Sequence, residues 1–569
     1  MNKFLLAAVT AALSACAASQ PQPLPDPPLP PEVEAGKAIS AAGLLENIAV
    51  LASDEFEGRL PGGAGEAKTV AHLEQQFRRL GLQPGNPDGR YVQEVPLVGI
   101  SGTPSMSLAV GKSGAPLPMA HGEDFVAVTS RFLPEVSVSN SSLVFVGYGV
   151  QAPEYDWDDY KGIDVRGKTL VMLINDPAVR TLGGSGTELD GAMFAGKGMT
   201  YYGRWTYKFE IASKLGAAAA IIVHETEPAA YPWDVVRNSW SGEQFELAAP
   251  DRNLGRVPVQ AWITVDKARA LFKAAGRDFD ALKRDAAHPN FTPVKLKATA
   301  SFKISNQVRY VDSHNVVARL PGSDPSLAAE TVIYSAHWDH LGRDGALQGD
   351  QIYNGAVDNA SGVAGLIEIA KAYKALPSAP KRSVLFLAVT AEEQGLLGSR
   401  YYARNPLYPL VKTPALINMD ALNPWGPTKD LQVVGSGQTT LEDTLAEVLT
   451  RKGRNTVPDA HPEKGSYYRS DQFEFAKVGV PGLYACRGSV AIDRPEGWLE
   501  EQNKAYTRTD YHNVSDHVRA DWNLDGAARD LQALFEVGYR VAEGRATAGW
   551  KEGSEFKAIR EASLAGASR

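Results

Sequence analysis

The order of hydrophobic and polar residues in the second half of the chain predicts a sheet covered by helices. Short apolar runs rich in β-branched residues, typical of buried strands, occupy residues 331–335, 383–389 and 415–419. Between the first two runs, apolar residues recur with helical spacing from Gly362 to Leu376. Strands and helices in alternation favour a parallel sheet with helices on its faces. Such sheets bind ligands beyond the carboxyl ends of their strands.

Acidic residues and histidines lie where these strands are predicted to end. One histidine follows the first run, a pair of glutamates follows the second, and an aspartate follows the third. A further aspartate precedes the predicted helix. The full set is His337, Asp358, Glu392, Glu393, Asp420 and the later His512. Imidazole and carboxylate ligands without a thiolate suit zinc, so the pattern predicts a zinc site at this edge of the sheet.

Five of these residues can be divided between two metal ions. We assign His337, Asp358 and Asp420 to one ion, and Asp358, Glu393 and His512 to the other. The two oxygens of Asp358 would bridge the ions and hold them roughly 3.5 to 4 Å apart, as in two-metal hydrolytic sites. An isolated aspartate at a helix start is more often only an N-cap, so this assignment depends on the other ligands nearby.

The remaining polar residues near these ligands suggest supporting roles. Glu392 is predicted to be the general base, which takes a proton from the attacking water and passes it to the leaving amine. Asp339 is two residues from His337 on an extended segment, so both point to the same side and Asp339 can support the ligand. His340 and His517 also lie near ligands in the sequence, and we rank both below the histidines assigned as ligands.

Five sequence segments resemble the co-catalytic zinc aminopeptidases of metallopeptidase family 28. They are SAHWDHLG, NGAVDNASGVAGLIEIA, AVTAEEQGLLGS, LINMDAL and YHNVSD, all between residues 335 and 516. The resemblance implies a three-layer α/β/α catalytic domain with a mixed central sheet, two Zn²⁺ per chain, and the ligands and base named above. It also implies that Tyr511 either hydrogen-bonds the tetrahedral intermediate or simply packs. Gln472 replaces the histidine of a Ser-Asp-His motif found in many relatives, and because glutamine cannot titrate we expect an effect on substrate preference rather than on metal binding.

The earlier part of the chain resembles the protease-associated domain inserted in many secreted members of that family. The resemblance rests on residues 141–150, 158–165, 167–173 and 214–223. With 569 residues, the chain is also too long for one ordinary domain. The predicted order is a signal peptide (1–15), a lipidated cysteine and proline-rich linker (16–36), the N-terminal part of the catalytic domain (37–124), a mainly β protease-associated domain (125–299), the di-zinc catalytic domain (300–548) and a peripheral C-terminal tail (549–569).

The first residues predict export and a lipid anchor. Lys3 precedes an apolar run from Phe4 to Leu13, and Ser14-Ala15-Cys16 completes a lipobox-like end. We therefore expect a periplasmic protein held at the outer membrane through a lipidated Cys16, with the proline-rich segment as an extended spacer. The alternative is an ordinary secretory signal cut near Ala15. A net charge of −8 does not predict the basic surface that binding of nucleic acid requires.

These features predict a metallo-aminopeptidase that hydrolyses N-terminal residues from peptides. A carboxypeptidase or dipeptidase of the same family is less favoured, because the large carboxypeptidases carry a further helical domain and only a short segment follows His512. A glutaminyl-peptide cyclotransferase would retain many of these ligands but use one zinc, and the GLLGS run looks more like the peptidases. A binding protein like the transferrin receptor would be expected to have lost ligands or the base. The side-chain preference and the oligomeric state stay open.

Overall fold

The computed structural model of the chain describes residues 29–111, 113–181 and 188–567. The helices are α1 (Pro31–Gly36), α2 (Ala41–Leu51), α3 (Ala64–Arg79), α4 (Trp205–Lys214), α5 (Thr226–Ala229), α6 (Trp233–Ser239), α7 (Val265–Ala274), α8 (Phe279–Asp285), α9 (Ser361–Ala375), α10 (Leu397–Arg404), α11 (Leu441–Arg451), α12 (Gln472–Ala476), α13 (Trp498–Thr509), α14 (Asp525–Ala542) and α15 (Lys557–Ala567).

The strands of the first half are β1 (Gln83–Pro84), β2 (Val92–Val110), β3 (Ala115–Leu117), β4 (Phe125–Val128), β5 (Glu135–Phe145), β6 (Gln151–Ala152), β7 (Trp157–Asp158), β8 (Thr169–Leu173), β9 (Ala219–His224), β10 (Gln244–Leu247) and β11 (Val259–Thr264). Those of the second half are β12 (Val294–Leu320), β13 (Thr331–His337), β14 (Gly342–Arg343), β15 (Ile352–Tyr353), β16 (Ser383–Val389), β17 (Leu416–Asn418), β18 (Asp430–Val433), β19 (Asn455–Pro458) and β20 (Gly482–Tyr484).

The second half of the chain forms a mixed sheet in the order β20-β17-β13-β16-β12. The first four strands are parallel, and β12 is antiparallel to β16. The three predicted strands correspond to β13, β16 and β17, and the predicted helix corresponds to α9. From β13 the chain runs through α9 to β16, which is the neighbour of β13 on one side. The next strand, β17, is the neighbour of β13 on the other side. This reversal of direction opens a crevice at the carboxyl ends of these strands.

Successive side chains of the central strands enter two different cores, because strand residues alternate between the faces of a sheet. Val332 and Tyr334 of β13 pack in the core that also contains residues of α2, α9 and α14. Ile333 points to the opposite face, where the core contains Tyr402 of α10 and Phe475 of α12. Helices therefore cover both faces of the sheet, which confirms the predicted three-layer α/β/α arrangement. We call this part the larger body.

A second body is inserted before β12, and it contains both strands and helices. Strands β5, β8, β9 and β11 are mutually parallel in that order, and β4 adds an antiparallel edge. Parallel neighbours cannot be joined by tight hairpins and need long crossover connections, here carrying α4 between β8 and β9 and α5 and α6 between β9 and β11. Residues 125–299, predicted to be mainly β, thus contain helices as well as strands, and we call this part the inserted body.

The two bodies share one continuous sheet. The long strands β2 and β12 pair from Val92 opposite Val316 to Val110 opposite Ala298, so the same two strands run through both bodies. The core of the inserted body contains Met106 and Ile304, and its packing thus extends beyond the predicted bounds 125–299 at both ends.

Both ends of the described chain pack onto the larger body. Residues 31–36 of the predicted linker 16–36 form helix α1, because a proline at the first helical position needs no backbone N–H donor. Trp550 and Phe556 are buried, and the indole of Trp550 donates to the Gly479 carbonyl over 3.0 Å. Part of the predicted tail at 549–569 therefore packs on the larger body.

The predicted signal peptide 1–15 and the predicted lipid-bearing Cys16 lie outside the described residues. Within the ranges that the structure describes, no helix combines the length and apolar character needed to cross a membrane.

Close packing of α14 against β13 gives a test of the fold. The Tyr334 hydroxyl donates toward the carbonyls of Leu534 and Phe535 over 3.2 Å, and a methyl group added at Gly538 would collide with that hydroxyl. We expect Gly538→Ala to lower the free energy of unfolding by about 1–3 kcal/mol through overpacking. Gly566→Ala in α15, where an added methyl meets open space, is the matched control. Thermal or urea unfolding measures both, and equal stability of the two variants would contradict the packing.

Candidate metal centre

The crevice at the carboxyl ends of β13, β16 and β17 brings together all six residues predicted to bind metal or act as base. His337 is the last residue of β13, and Asp420 lies two residues beyond β17. The two glutamates lie in the turn between β16 and α10. The aspartate predicted to bridge lies in the turn Ala356–Ala360 that leads into α9, and His512 lies in the loop after α13.

The distances divide the ligands into two groups that share Asp358. The Nε2 atom of His337 is 3.3 Å from Asp358 Oδ1 and 3.4 Å from Asp420 Oδ1. The Nε2 atom of His512 is 3.2 Å from Asp358 Oδ2 and 2.9 Å from Glu393 Oε2. Each oxygen of Asp358 thus faces a different imidazole. These are the two ligand sets that the sequence predicts.

The charges of this cluster are strongly coupled. Burial opposes ionisation of Asp358, yet His337 and His512 hold its pKa well below the usual range. Burial likewise opposes ionisation of Glu393, but His512 and other imidazoles bring its pKa to about 2. Burial lowers the pKa of both imidazoles, and the surrounding carboxylates outweigh it and raise them well above the usual range. In this arrangement protonated imidazoles supply the positive charge that the carboxylates require.

The donor set fits metal cations. Nε2 of His512 and Nε2 of His340 are buried and have no well-aligned hydrogen-bond partner in the described structure. One group of three whose ligand atoms lie within 4.8 Å of one another is the predicted set His337, Asp358 and Asp420. Another contains Asp358 and Glu393 with His340 rather than His512, and neither group contains a thiolate. Zinc accepts this mixture of ligands. Cations would replace the protons that the imidazoles otherwise hold.

Glu392 lies at the edge of this cluster rather than within either group. Its Oε2 atom is 3.9 Å from Nε2 of His337, farther than the carboxylates of the two ligand groups. Burial, together with the nearby charges of Glu393 and Asp420, raises the pKa of Glu392 well above its usual range, although His337 acts in the opposite sense. A carboxyl group whose pKa is raised in this way is suited to proton transfer.

Asp339 supports the site differently from the expectation. Its carboxylate accepts hydrogen bonds from the backbone N–H of Glu392, at 3.0 Å, and of Glu393, at 3.3 Å. Its Oδ1 is 3.8 Å from Nδ1 of His337, whereas the Asp339 backbone carbonyl is closer, at 3.2 Å. Asp339 therefore holds the turn that carries the glutamates. Burial raises its pKa to about 8.

Of the two lower-ranked histidines, only His340 reaches the ligands. Its Nδ1 atom is 2.6 Å from Glu393 Oε1, and the residue is fully buried. His517 is exposed rather than buried among the ligands. Its neighbour Asp516, which the sequence reasoning missed, accepts from the N–H of Val357 and of Asp358, each over 3.1 Å. Asp516 thus fixes the turn that presents the shared ligand.

Tyr511 packs directly on a ligand. Its ring is stacked on His512, with centroids 3.9 Å apart and planes inclined by 22°, and 37% of the residue is exposed. His512 has a left-handed backbone with φ of 55°, as do Ala391 and Ala421, which adjoin the glutamates and Asp420. Such conformations carry strain in non-glycine residues and cluster at functional sites. The geometry supports the packing role of Tyr511, and a hydrogen bond to an intermediate stays a prediction.

A buried chain of hydrogen bonds orients Asp420. The Ser470 hydroxyl donates to Asp420 Oδ2 over 2.6 Å, and the Asn418 amide donates to Ser470 Oγ over 2.7 Å. The same amide group donates to Gln472 Oε1 over 3.0 Å, and the Gln472 amide donates to the Tyr467 carbonyl over 2.6 Å. Gln472 is fully buried, so it positions a ligand through this chain and does not face substrate. The expected effect on substrate preference finds no support in this geometry.

Arg59 is the second residue that the sequence reasoning missed. Its buried guanidinium donates to the carbonyls of Trp338 (2.8 Å), Leu51 (2.6 Å), Asn354 (2.6 Å) and Gly355 (2.8 Å). It therefore ties the N-terminal segment to the two loops that carry the ligands. Burial lowers its pKa to about 10, against the attraction of nearby carboxylates. Most of its acceptors are distant in sequence, so no local pattern reveals this role.

Comparisons with known proteins identify similar peptidases. Residues 315–535 match peptidase family M28. Leupeptin-inactivating enzyme 1 of Streptomyces exfoliatus is 28% identical over 221 residues, which are 38% of this chain and 45% of that protein. Probable leucine aminopeptidase 2 of Aspergillus oryzae (strain ATCC 42149 / RIB 40) is 23% identical over 499 residues, 86% of this chain and 81% of that protein. The chain spans less than half the length of the Streptomyces enzyme and of three further relatives, between 9% and 45% of each protein.

A solved structure shares the fold over most of the chain. The aminopeptidase from Aneurinibacillus sp. strain AM-1 superimposes with a TM-score of 0.50 at 20% identity, and the match covers 90% of this chain and 96% of that one. The family match spans β13, β16, β17 and all six residues of the metal centre. The domain that carries the metal centre therefore belongs to peptidase family M28.

Proposed function

We propose that this protein is a zinc metallo-aminopeptidase that removes N-terminal residues from peptides and binds two Zn²⁺ per chain. The observation that carries the proposal is the pair of imidazole and carboxylate groups that share Asp358, with Glu392 beside them. The family of the domain and the names of its relatives support peptide hydrolysis. Two adjacent groups of ligands favour two ions over one.

One zinc ion would be held by His337, Asp358 and Asp420. The other would be held by Asp358, Glu393 and His512. Zinc held by these ligands supplies Lewis acidity, which polarises the scissile carbonyl and acidifies the attacking water. The chain's own contribution is to fix the ligands. Arg59 and the hydrogen bonds around the crevice hold each ligand-bearing turn in place before any substrate arrives.

Glu392 is the proposed general base. Its carboxylate takes a proton from the attacking water and delivers it to the nitrogen of the leaving amine, so the proton moves between two groups without leaving the crevice. A raised pKa makes its ionised carboxylate a stronger base, which favours uptake of the proton from water. Asp339 fixes the backbone on which this side chain moves.

Recognition of the substrate's α-amine follows from the same cluster. A protonated amine needs acidic partners, and Glu392 and the ligand carboxylates are the acidic groups that face the crevice. An N-terminal amine would thus place the first peptide bond beside the proposed base.

We also propose that the protein is exported and anchored through a lipid on Cys16. The support is the lipobox-like sequence and the proline-rich segment that follows it. Cys16→Ser should move the protein from the membrane fraction to the soluble periplasmic fraction with its specific activity unchanged. Equal distribution of both proteins between the fractions would refute the anchor.

Replacing the proposed base tests the chemistry. Glu392→Gln keeps the shape of the side chain but cannot accept the proton, so we expect kcat to fall by about two to four orders of magnitude with both metals retained. Glu501→Gln, an exposed position on α13, is the matched control and should keep full activity. Near-normal turnover by Glu392→Gln with metals bound would exclude the assignment.

The shared ligand gives a second test. Asp358→Ala should lose both metals or nearly both, whereas His512→Ala should retain the ion held by His337 and Asp420. Metal content per chain, measured by mass spectrometry, distinguishes the two variants, and Asp350→Ala, which removes an exposed carboxylate, is the control. One zinc per chain in fully active wild-type protein would instead favour the cyclotransferase alternative.

A further inference from the structure

A half-buried arginine, Arg487, joins two of the segments that carry metal ligands. It lies shortly after β20, at the same edge of the sheet as the crevice. Its Nε atom donates to the Ala421 carbonyl over 3.0 Å, and Ala421 directly follows the ligand Asp420. Its Nη1 atom donates to Asn503 Oδ1 on α13, also over 3.0 Å, and the loop after α13 carries His512. The guanidinium thus connects the segments of one ligand from each metal group.

Two aromatic rings hold the same guanidinium, and they come from the same two segments. Its central carbon is 5.4 Å from the ring centroid of Trp425, which follows Asp420 in the chain, and 5.3 Å from that of Tyr506 on α13. The two rings meet edge to face, with centroids 6.2 Å apart. A planar guanidinium can present its face to aromatic rings while it donates hydrogen bonds in its own plane, which an ammonium group cannot do. Contacts in several directions therefore fix Arg487 between the two segments.

Tyr506 carries this connection on to the shared ligand. Its hydroxyl donates to Asp516 Oδ2 over 3.1 Å, and the residue is buried. Asp516 in turn accepts hydrogen bonds from the backbone of the turn that presents Asp358. Guanidinium, phenol and carboxylate thus form a continuous path from Arg487 to the ligand assigned to both ions.

The end of α13 fixes the loop of His512 through the same tyrosine. The Tyr506 carbonyl accepts from the N–H groups of Asp510, at 2.8 Å, and of Tyr511, at 2.9 Å. Tyr511 is stacked on His512, whose left-handed backbone requires support from its surroundings. A shift of α13 would therefore move His512 directly.

The turn of Asp420 has a further tie to the shared ligand. The Asn359 side chain accepts from the N–H of Ala421 over 3.1 Å and donates to the Met419 carbonyl over 3.1 Å. These bonds hold the turn of Asp420 from both sides. Since Asn359 adjoins the shared ligand in the chain, one ligand group keeps this tie without Arg487. The arginine matters more for the other group, whose histidine is held through α13.

We infer that Arg487 is a positioning residue that sets the spacing of the two ligand groups, and that the ion of Glu393 and His512 depends on it most. The inference rests on the proposed two-zinc function. Groups behind metal ligands orient them, and loss of such a group commonly weakens metal binding by about 10–100-fold. Without the guanidinium, α13 can shift against the turn of Asp420. An outer ligand that moves away from the shared carboxylate no longer completes its site.

Stepwise zinc affinities test this dependence. Zinc is removed with a chelator and returned in competition with a fluorescent chelator, which gives a dissociation constant for each ion. His512→Ala, which lacks the ligand itself, identifies the step that belongs to its ion. Arg487→Met should weaken that step by about tenfold or more and the other step by less than about threefold. Arg494→Met, at an exposed arginine that lies over the ring of Trp498, is the matched control and should keep both constants.

Two further variants separate position from charge and from stability. Arg487→Lys keeps the charge but cannot make the planar contacts, so it should weaken the same step as Arg487→Met. Asn503→Ala removes one acceptor of the guanidinium from a half-buried position on α13, so the core is left intact. It should weaken the His512 step selectively by about threefold, and it decides the question alone if Arg487→Met does not fold.

The outcomes distinguish this inference from the function on which it rests. Equal weakening of both steps by Arg487→Met, or unchanged constants in Arg487→Met or Asn503→Ala, would reject the positioning role alone. Wild-type constants in Arg487→Lys would also reject it, since charge would then suffice. A wild-type protein with a single zinc step would reject the proposed two-zinc function itself, and the inference with it.

Discussion

The concentration of negative charge at one end of the central sheet is the constraint to which the rest of the structure responds. Five carboxylates, those of Asp339, Asp358, Glu392, Glu393 and Asp420, meet in a crevice that excludes most water. Uncompensated buried carboxylates are strongly unfavourable. Two imidazoles and the guanidinium of Arg59 offset part of this charge, and two divalent cations would offset the remainder.

The fold supplies the crevice and then fixes each group within it. Reversal of the strand order at β13 places three strand ends side by side, so ligands far apart in sequence come within a few ångströms. Each ligand-bearing turn has its own restraint: Asp516 for the turn of Asp358, Asp339 for the glutamates, and Ser470 for Asp420. Prior restraint of this kind reduces the reorganisation needed during reaction.

The sequence predicted those features that local patterns encode. Apolar runs identified β13, β16, β17 and α9. The residues after each strand identified the side chains that meet in the crevice, because strand ends in a parallel sheet share an edge. Contacts between distant segments leave no such pattern. Arg59 reaches carbonyls hundreds of residues away, and Trp550 is buried by a surface built from elsewhere in the chain. The parallel order of the strands in the inserted body is likewise not encoded locally, because it depends on which strands pair with each other.

Anomalous diffraction at the zinc edge, from crystals of zinc-loaded protein, tests the central claim most directly. The account predicts two peaks in the crevice roughly 3.5 to 4 Å apart, one beside His337 and Asp420 and one beside Glu393 and His512, with Asp358 between them. A single peak in the crevice, or two peaks without Asp358 between them, would contradict it.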